Sequence, residues 1–229
     1  MINIYIFGYG SLQNFNSIEK TLFSINDNVY SIDYNKNNSS NYLTEYDKTI
    51  QIVKVKDLKR GWLFHTDNNN KSYTACGAYE CTGYTCSGTL FPVTEEQLAN
   101  FDLREIGYQR KIIDNKNVSI INRYGDENEN KITTNSIIYY YSVDNYEIKP
   151  NIYYPLYKSY IDLCMTGCLM IDKIMNNKNN EYTIEFVETT YGWEKNKFLI
   201  DDRINLKSNA ISPYIYLIDD ILDKYVKQI

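Results

Sequence analysis

A single histidine, His65, in a chain of 229 residues removes every metal site built from several imidazoles. It leaves a Cys–His pair as the one arrangement available for thiol catalysis, and His65 closes the run Trp62-Leu63-Phe64-His65, which reads as a strand end. The five cysteines are an odd count that fits no disulfide framework, so free thiols are expected. Cys76, Cys81 and Cys86 recur through a strand-rich stretch and alternate between sheet faces instead of converging, and Cys164 and Cys168 have no second ligand pair. Four prolines and ten glycines build no linker, so one domain is expected over 1–229, carrying Asn-rich loop insertions and a helical C-terminal extension. No stretch approaches membrane-spanning length and Met1-Ile2-Asn3-Ile4 has no basic region, which points to a soluble cytoplasmic protein without a membrane partner. Positive charge is also scarce. With a net charge of −5 and a pI near 5.0, clusters such as Lys54-Val55-Lys56 and Lys59-Arg60 are too small to hold a nucleic acid.

What the chain has in quantity is asparagine and tyrosine. The segments Asn35–Asn41, Asp67–Asn70 and Asn176–Asn180 are polar and read as exposed loops. The 24 tyrosines fall largely in apolar strand contexts such as Tyr139-Tyr140-Tyr141, where alternate rings are expected in the core and the others outside. A structural protein with a tyrosine-rich surface is therefore one reading. The predicted order is strand (2–7), helix (17–23), strands (50–55, 61–65, 75–80, 86–91), helix (95–104), strands (109–113, 136–141), helix (154–170) and helices near the C-terminus. Strands and helices do not alternate regularly, which favours an α+β architecture with a mixed, partly closed sheet and flanking helices.

Two stretches carry chemistry. Ile4-Tyr5-Ile6-Phe7 runs as an apolar strand into Gly8-Tyr9-Gly10-Ser11-Leu12, where glycine permits φ > 0 and close approach of a ligand to the main chain. The amides of Gly10, Ser11 and Leu12 would form a nest for a carboxylate or oxyanion, walled by Tyr9. No Gly-Lys-Ser/Thr closes the turn and no third spaced glycine follows it, so it is not a nucleotide loop. Further on, Thr94-Glu95-Glu96-Gln97 is a capping box opening a helix that ends at Glu105, with Gly107 placed to take the left-handed conformation that terminates it. Glu105 either sits in a pocket beside the chain reversal or pairs with Arg104 or Arg110 on the surface.

Taken together, the Gly8-Tyr9-Gly10-Ser11-Leu12 turn after the first strand and the segment Asp102-Leu103-Arg104-Glu105-Ile106-Gly107-Tyr108-Gln109-Arg110 resemble the γ-glutamylcyclotransferase-like superfamily. Weaker likenesses to one branch are Tyr153 to Cys164 with Gly167, Thr189-Thr190-Tyr191-Gly192-Trp193, and Asp201-Asp202-Arg203. The resemblance implies an α+β fold, substrate binding by Tyr9, Gly10, Ser11 and Leu12, and Glu105 as catalytic acid/base. Tyr108 is placed beside the substrate on the same ground. The implied activity is a carbon–nitrogen-cleaving cyclotransfer: a γ-glutamyl compound such as glutathione, a dipeptide or a γ-glutamylamine closes to 5-oxoproline and releases an amine or amino acid. No metal or organic cofactor is implied, the partner is a small molecule, and the protein is a monomer or homodimer. The rival within the same fold is a non-catalytic protein that binds γ-glutamyl groups or small carboxylates.

Overall fold

A computed structural model describes residues 3–23, 49–68, 71–123, 132–133, 135–193 and 198–226. Apolar, β-branched and aromatic runs form a six-stranded mixed sheet. Strand β1 (Ile4–Gly8) lies inside it, antiparallel to β3 (Lys71–Val93) and parallel to β6 (Ile137–Ser142). Beyond β3 come β2 (Gln51–Asn68) and β5 (Val118–Arg123), and beyond β6 comes β4 (Gln109–Ile113). The order is therefore β4-β6-β1-β3-β2-β5, and the sheet is not closed. The Val143 amide, one residue past β6, donates to the Ala78 carbonyl of β3 at 2.9 Å.

β2 and β3 each join what the sequence divides into two predicted strands. Glycines that read as punctuation are absorbed into one long antiparallel ladder in which Gly61 faces Gly77, with irregularities between Lys56 and Leu58 and between Trp62 and Phe64. Asp57 takes the left-handed conformation at the first irregularity and accepts a bond from the Gly83 amide. Of the Asn-rich stretches, Asn35–Asn41 lies outside the described residues, and Asn176 and Asn180 turn the chain between helices with positive φ.

Helix α1 (Phe15–Leu22) starts on the Asn14 side chain, which accepts from the Ser17 amide. Helix α2 (Glu95–Arg104) opens on the expected capping box between Thr94 and Gln97. Helix α3 (Lys158–Ile174) lies over the β1 exit, where Asn14 donates to the Leu163 carbonyl. Helix α4 (Glu181–Thr189) and helix α5 (Ile215–Tyr225) complete the layer, and the short β7 (Leu156–Tyr157) and β8 (Leu199–Ile200) pair in parallel. The predicted helix over 154–170 begins later because Leu156 and Tyr157 pair with β8. None of the described helices is long and apolar enough to cross a membrane.

The core centres on Trp62, fully buried between Trp193, Phe186 and Tyr160. Arg60, also buried, donates to the carbonyls of Tyr9 and Ser87 and to the hydroxyls of Thr189 and Thr190, so the back of the β1 exit is tied to the end of α4. Tyr140 and Tyr141 are both buried, against the expected alternation, because β6 is covered on both faces. The Asp201-Asp202-Arg203 segment acts as a clasp. Asp202 caps α3 by accepting from the Ser159 amide and hydroxyl, while Arg203 reaches Asp201 and Asp219.

Asp162, buried beside that clasp, faces Arg203 at 3.6 Å. Burial pushes its carboxyl up to about 7, with Arg203 opposing the rise and Asp219 and Asp201 adding to it. Because this value lies above the unfolded one, the neutral acid favours the fold: the contribution is complete below about pH 4 and lost as pH rises through about 7. Urea unfolding should therefore show stability falling between about pH 4 and 7, with roughly 2 to 4 kcal/mol of that fall absent in Asp162→Asn. An unchanged pH slope in the variant would remove Asp162 as its source.

Candidate active site

The chain leaves β1 at Gly8 and turns through Tyr9 and Gly10 into a 3-10 turn at Ser11–Gln13. Contrary to the sequence expectation, neither Gly8 nor Gly10 takes a positive φ. Gly10 is required by close approach: a Cβ there would lie 2.9 Å from the Cβ of Cys76. The turn's own bonds begin with the Gln13 amide on the Gly10 carbonyl and the Asn14 amide on the Ser11 carbonyl. The Ser11 and Leu12 amides precede the first of these, at the end of a helical turn where donors are left without intrahelical acceptors.

Glu105 comes to this turn from the end of α2. Its amide closes the last turn on the Phe101 carbonyl, and Gly107 at φ +97° reverses the chain, as the spacing predicts. Tyr9, Gly10, Ser11, Leu12, Glu105 and Tyr108 line one cavity of about 20 Å³, together with Cys76, Tyr141 and Tyr160. That volume holds about one water molecule. A γ-glutamyl group is far larger, so a ligand of that size must part the walls.

The Glu105 side chain is 13% exposed, and its Oε1 lies 2.9 Å from the Nε of Arg104, whose side chain is 2% exposed. The ion pair expected on the surface is thus formed with Arg104 and formed inside. Arg110 goes the other way, to Asp102 and across the ring of Tyr139. Burial raises the Glu105 carboxyl above its ordinary value of 4.5, and the Arg104 charge works against that rise.

The aromatic walls have committed hydroxyls. Tyr9 donates to the Tyr141 carbonyl, and Tyr108 donates to the Cys76 carbonyl at 2.8 Å while its ring packs on Phe64. The Tyr160 hydroxyl accepts from the Cys76 amide. Burial holds Tyr9, Tyr108 and Tyr160 well above the ordinary phenol range, so all three are neutral. Cys76 is buried as a thiol for the same reason, and His65 stacks on Tyr154 and contacts the Lys149 carbonyl. Among the described residues no three His, Cys, Asp or Glu side chains group as a metal site.

Sequence reasoning passed over Cys76 and Tyr141 as wall residues. Tyr160 had a signal, since Ser159-Tyr160 belongs to the weaker branch likeness, while Cys76 had none beyond its place in a strand.

No family profile and no curated protein matches the chain. Among solved structures, one described as a gamma-glutamyl cyclotransferase is 15% identical, with a TM-score of 0.49, over 95% of this chain and 99% of that one. An uncharacterised human protein is 14% identical, with a TM-score of 0.47, over 98% of this chain and 100% of its own. A yeast gamma-glutamyl cyclotransferase specific to glutathione is 9% identical, with a TM-score of 0.41, over 98% of this chain and 97% of that one.

Proposed function

We propose that this protein is a cyclotransferase that converts a γ-glutamyl compound to 5-oxoproline and releases the amine or amino acid. The supporting observation is that Glu105 and the Tyr9–Leu12 turn, remote in sequence, line one small cavity. In this reading the amides of the turn hold the glutamyl group and its developing oxyanion, each donor being worth about 3 to 4 kcal/mol. The substrate's α-amine attacks its own γ-carbonyl carbon, and Glu105 takes a proton from that amine. The new N–C bond closes the five-membered ring. As the old C–N bond breaks, Glu105 returns the proton to the departing nitrogen. A carboxyl raised by burial is a better base near neutral pH than an exposed one, and ring closure gains from proximity.

Incubation with a panel of glutathione, γ-glutamyl dipeptides and γ-glutamylamines should yield 5-oxoproline by mass spectrometry from at least one compound. Activity is expected to persist in EDTA and in a folded Cys76→Ser variant, because the substrate supplies the nucleophile. Activity restored only by added metal, or lost with the thiol, would replace this mechanism. Tight γ-glutamyl binding without product would favour the non-catalytic binder.

A further inference from the structure

We propose that Arg104 is a positioning residue for this cyclisation: its guanidinium clamps the Glu105 carboxylate and the Ser11 end of the turn to one another, so that base and amide donors are held as one unit. The inference rests on the proposed function and gives a part to Arg104, to which the motif likeness assigns none.

A guanidinium has five N–H donors in a rigid fork. In Arg104 four of them are fixed on one side. Nη1 donates to the Ser17 carbonyl at 3.0 Å and the Thr21 hydroxyl at 2.7 Å, and Nη2 to the Ser11 hydroxyl at 3.0 Å and the Ser17 hydroxyl at 2.9 Å. The fifth, on the buried Nε, faces Glu105 Oε1 at 2.9 Å.

Arg104 is also the charge that Glu105 faces. Around the carboxyl stand Tyr9 from the β1 exit, Cys76 from β3, Tyr141 from β6, Tyr160 from α3 and Tyr108 from the chain reversal. Burial keeps these cavity groups neutral, and the Arg104 cation beside the cavity is what offsets the desolvation of the base. Without it the carboxyl would bind its proton to a higher pH and lose its aim at the turn.

The test combines 13C NMR titration of Glu105, assigned by its absence in Glu105→Gln, with kinetics on Arg104→Met and Arg104→Lys. In Arg104→Met the titration should move up by about 1 to 3 pH units, the acid limb of kcat/KM should move with it, and kcat should fall roughly 10- to 100-fold. Arg104→Lys, which keeps the charge but loses the fork, should titrate near the wild type and still lose about tenfold in kcat. The double variant Arg104→Met/Glu105→Gln should be no slower than Glu105→Gln alone. A folded Arg104→Met that titrates like the wild type would overturn the proposal. Should Arg104→Met fail to fold, Arg104→Lys decides, and an unchanged kcat there would overturn the clamp. Absence of turnover with every γ-glutamyl compound would instead sink the proposed function, and the NMR titration would still report whether Arg104 sets the acidity of Glu105.

Discussion

Glu105→Gln is expected to lower kcat/KM by about 10²- to 10⁴-fold while leaving the fold and γ-glutamyl binding in place. Glutamine matches the shape of the carboxyl but cannot carry a proton between the attacking and leaving nitrogens. Its carbonyl can still face the Arg104 Nε, so the buried cation keeps an acceptor, and thermal unfolding should shift only slightly. The pH profile gives a second signature. Because burial raises the Glu105 carboxyl above 4.5, kcat/KM in the wild type should fall on the acid side of an inflection above that value. The residual rate of Glu105→Gln should lack this limb. Turnover of the variant within about tenfold of wild type would take Glu105 out of the proton-transfer role, since such catalysis supplies at least about 10²-fold.

The site was legible where local chemistry decides the outcome. The capping box at Thr94 and Gln97 and the reversal at Gly107 follow from side-chain and backbone geometry within a few residues, so the end of α2 and the place of Glu105 in the chain could be read directly. Where distant partners decide, reading failed. Arg104 and Arg110 flank Glu105 alike in a charged segment, and nothing local separates them. Arg104 turns inward because Ser11, Ser17 and Thr21, 83 to 93 positions earlier, offer four acceptors, whereas Arg110 finds Asp102 outside. The division of β2 and β3 into shorter predicted strands has the same origin. Gly61 and Gly77 look like breaks singly, but they face each other in the ladder and each is packed closely by neighbours. Cys76 belongs to the cavity only because Gly10 has no side chain to keep it away.

That dependence of the site on the long hairpin makes Trp62 the position with the largest expected effect on stability. Trp62 sits beside the second irregularity of the β2–β3 ladder and is wholly buried. Its ring meets Trp193 edge-on at 5.0 Å between centroids, and Phe186 and Tyr160 at 6.3 and 6.1 Å. Trp62→Ala removes the shared partner of three rings contributed by α3, α4 and the segment after α4, and is expected to cost about 3 to 5 kcal/mol. Against the usual 5–15 kcal/mol for a folded domain, that is a large fraction of the total. Trp62→Phe separates packing from hydrogen bonding. The indole Nε1 is buried and has no partner among the described residues, so its removal costs no bond there and offsets part of the lost ring contact. The Phe variant should therefore lie within about 2 kcal/mol of the wild type by chemical denaturation. The consequence reaches the cavity through Tyr160, which packs on Trp62 and accepts from the Cys76 amide at the cavity wall. With that support gone, Trp62→Ala should lose kcat even at temperatures where it is folded, by about tenfold or more. A loss of less than about 1 kcal/mol in Trp62→Ala would show that the surrounding rings collapse onto the space and that the hub does not depend on the indole.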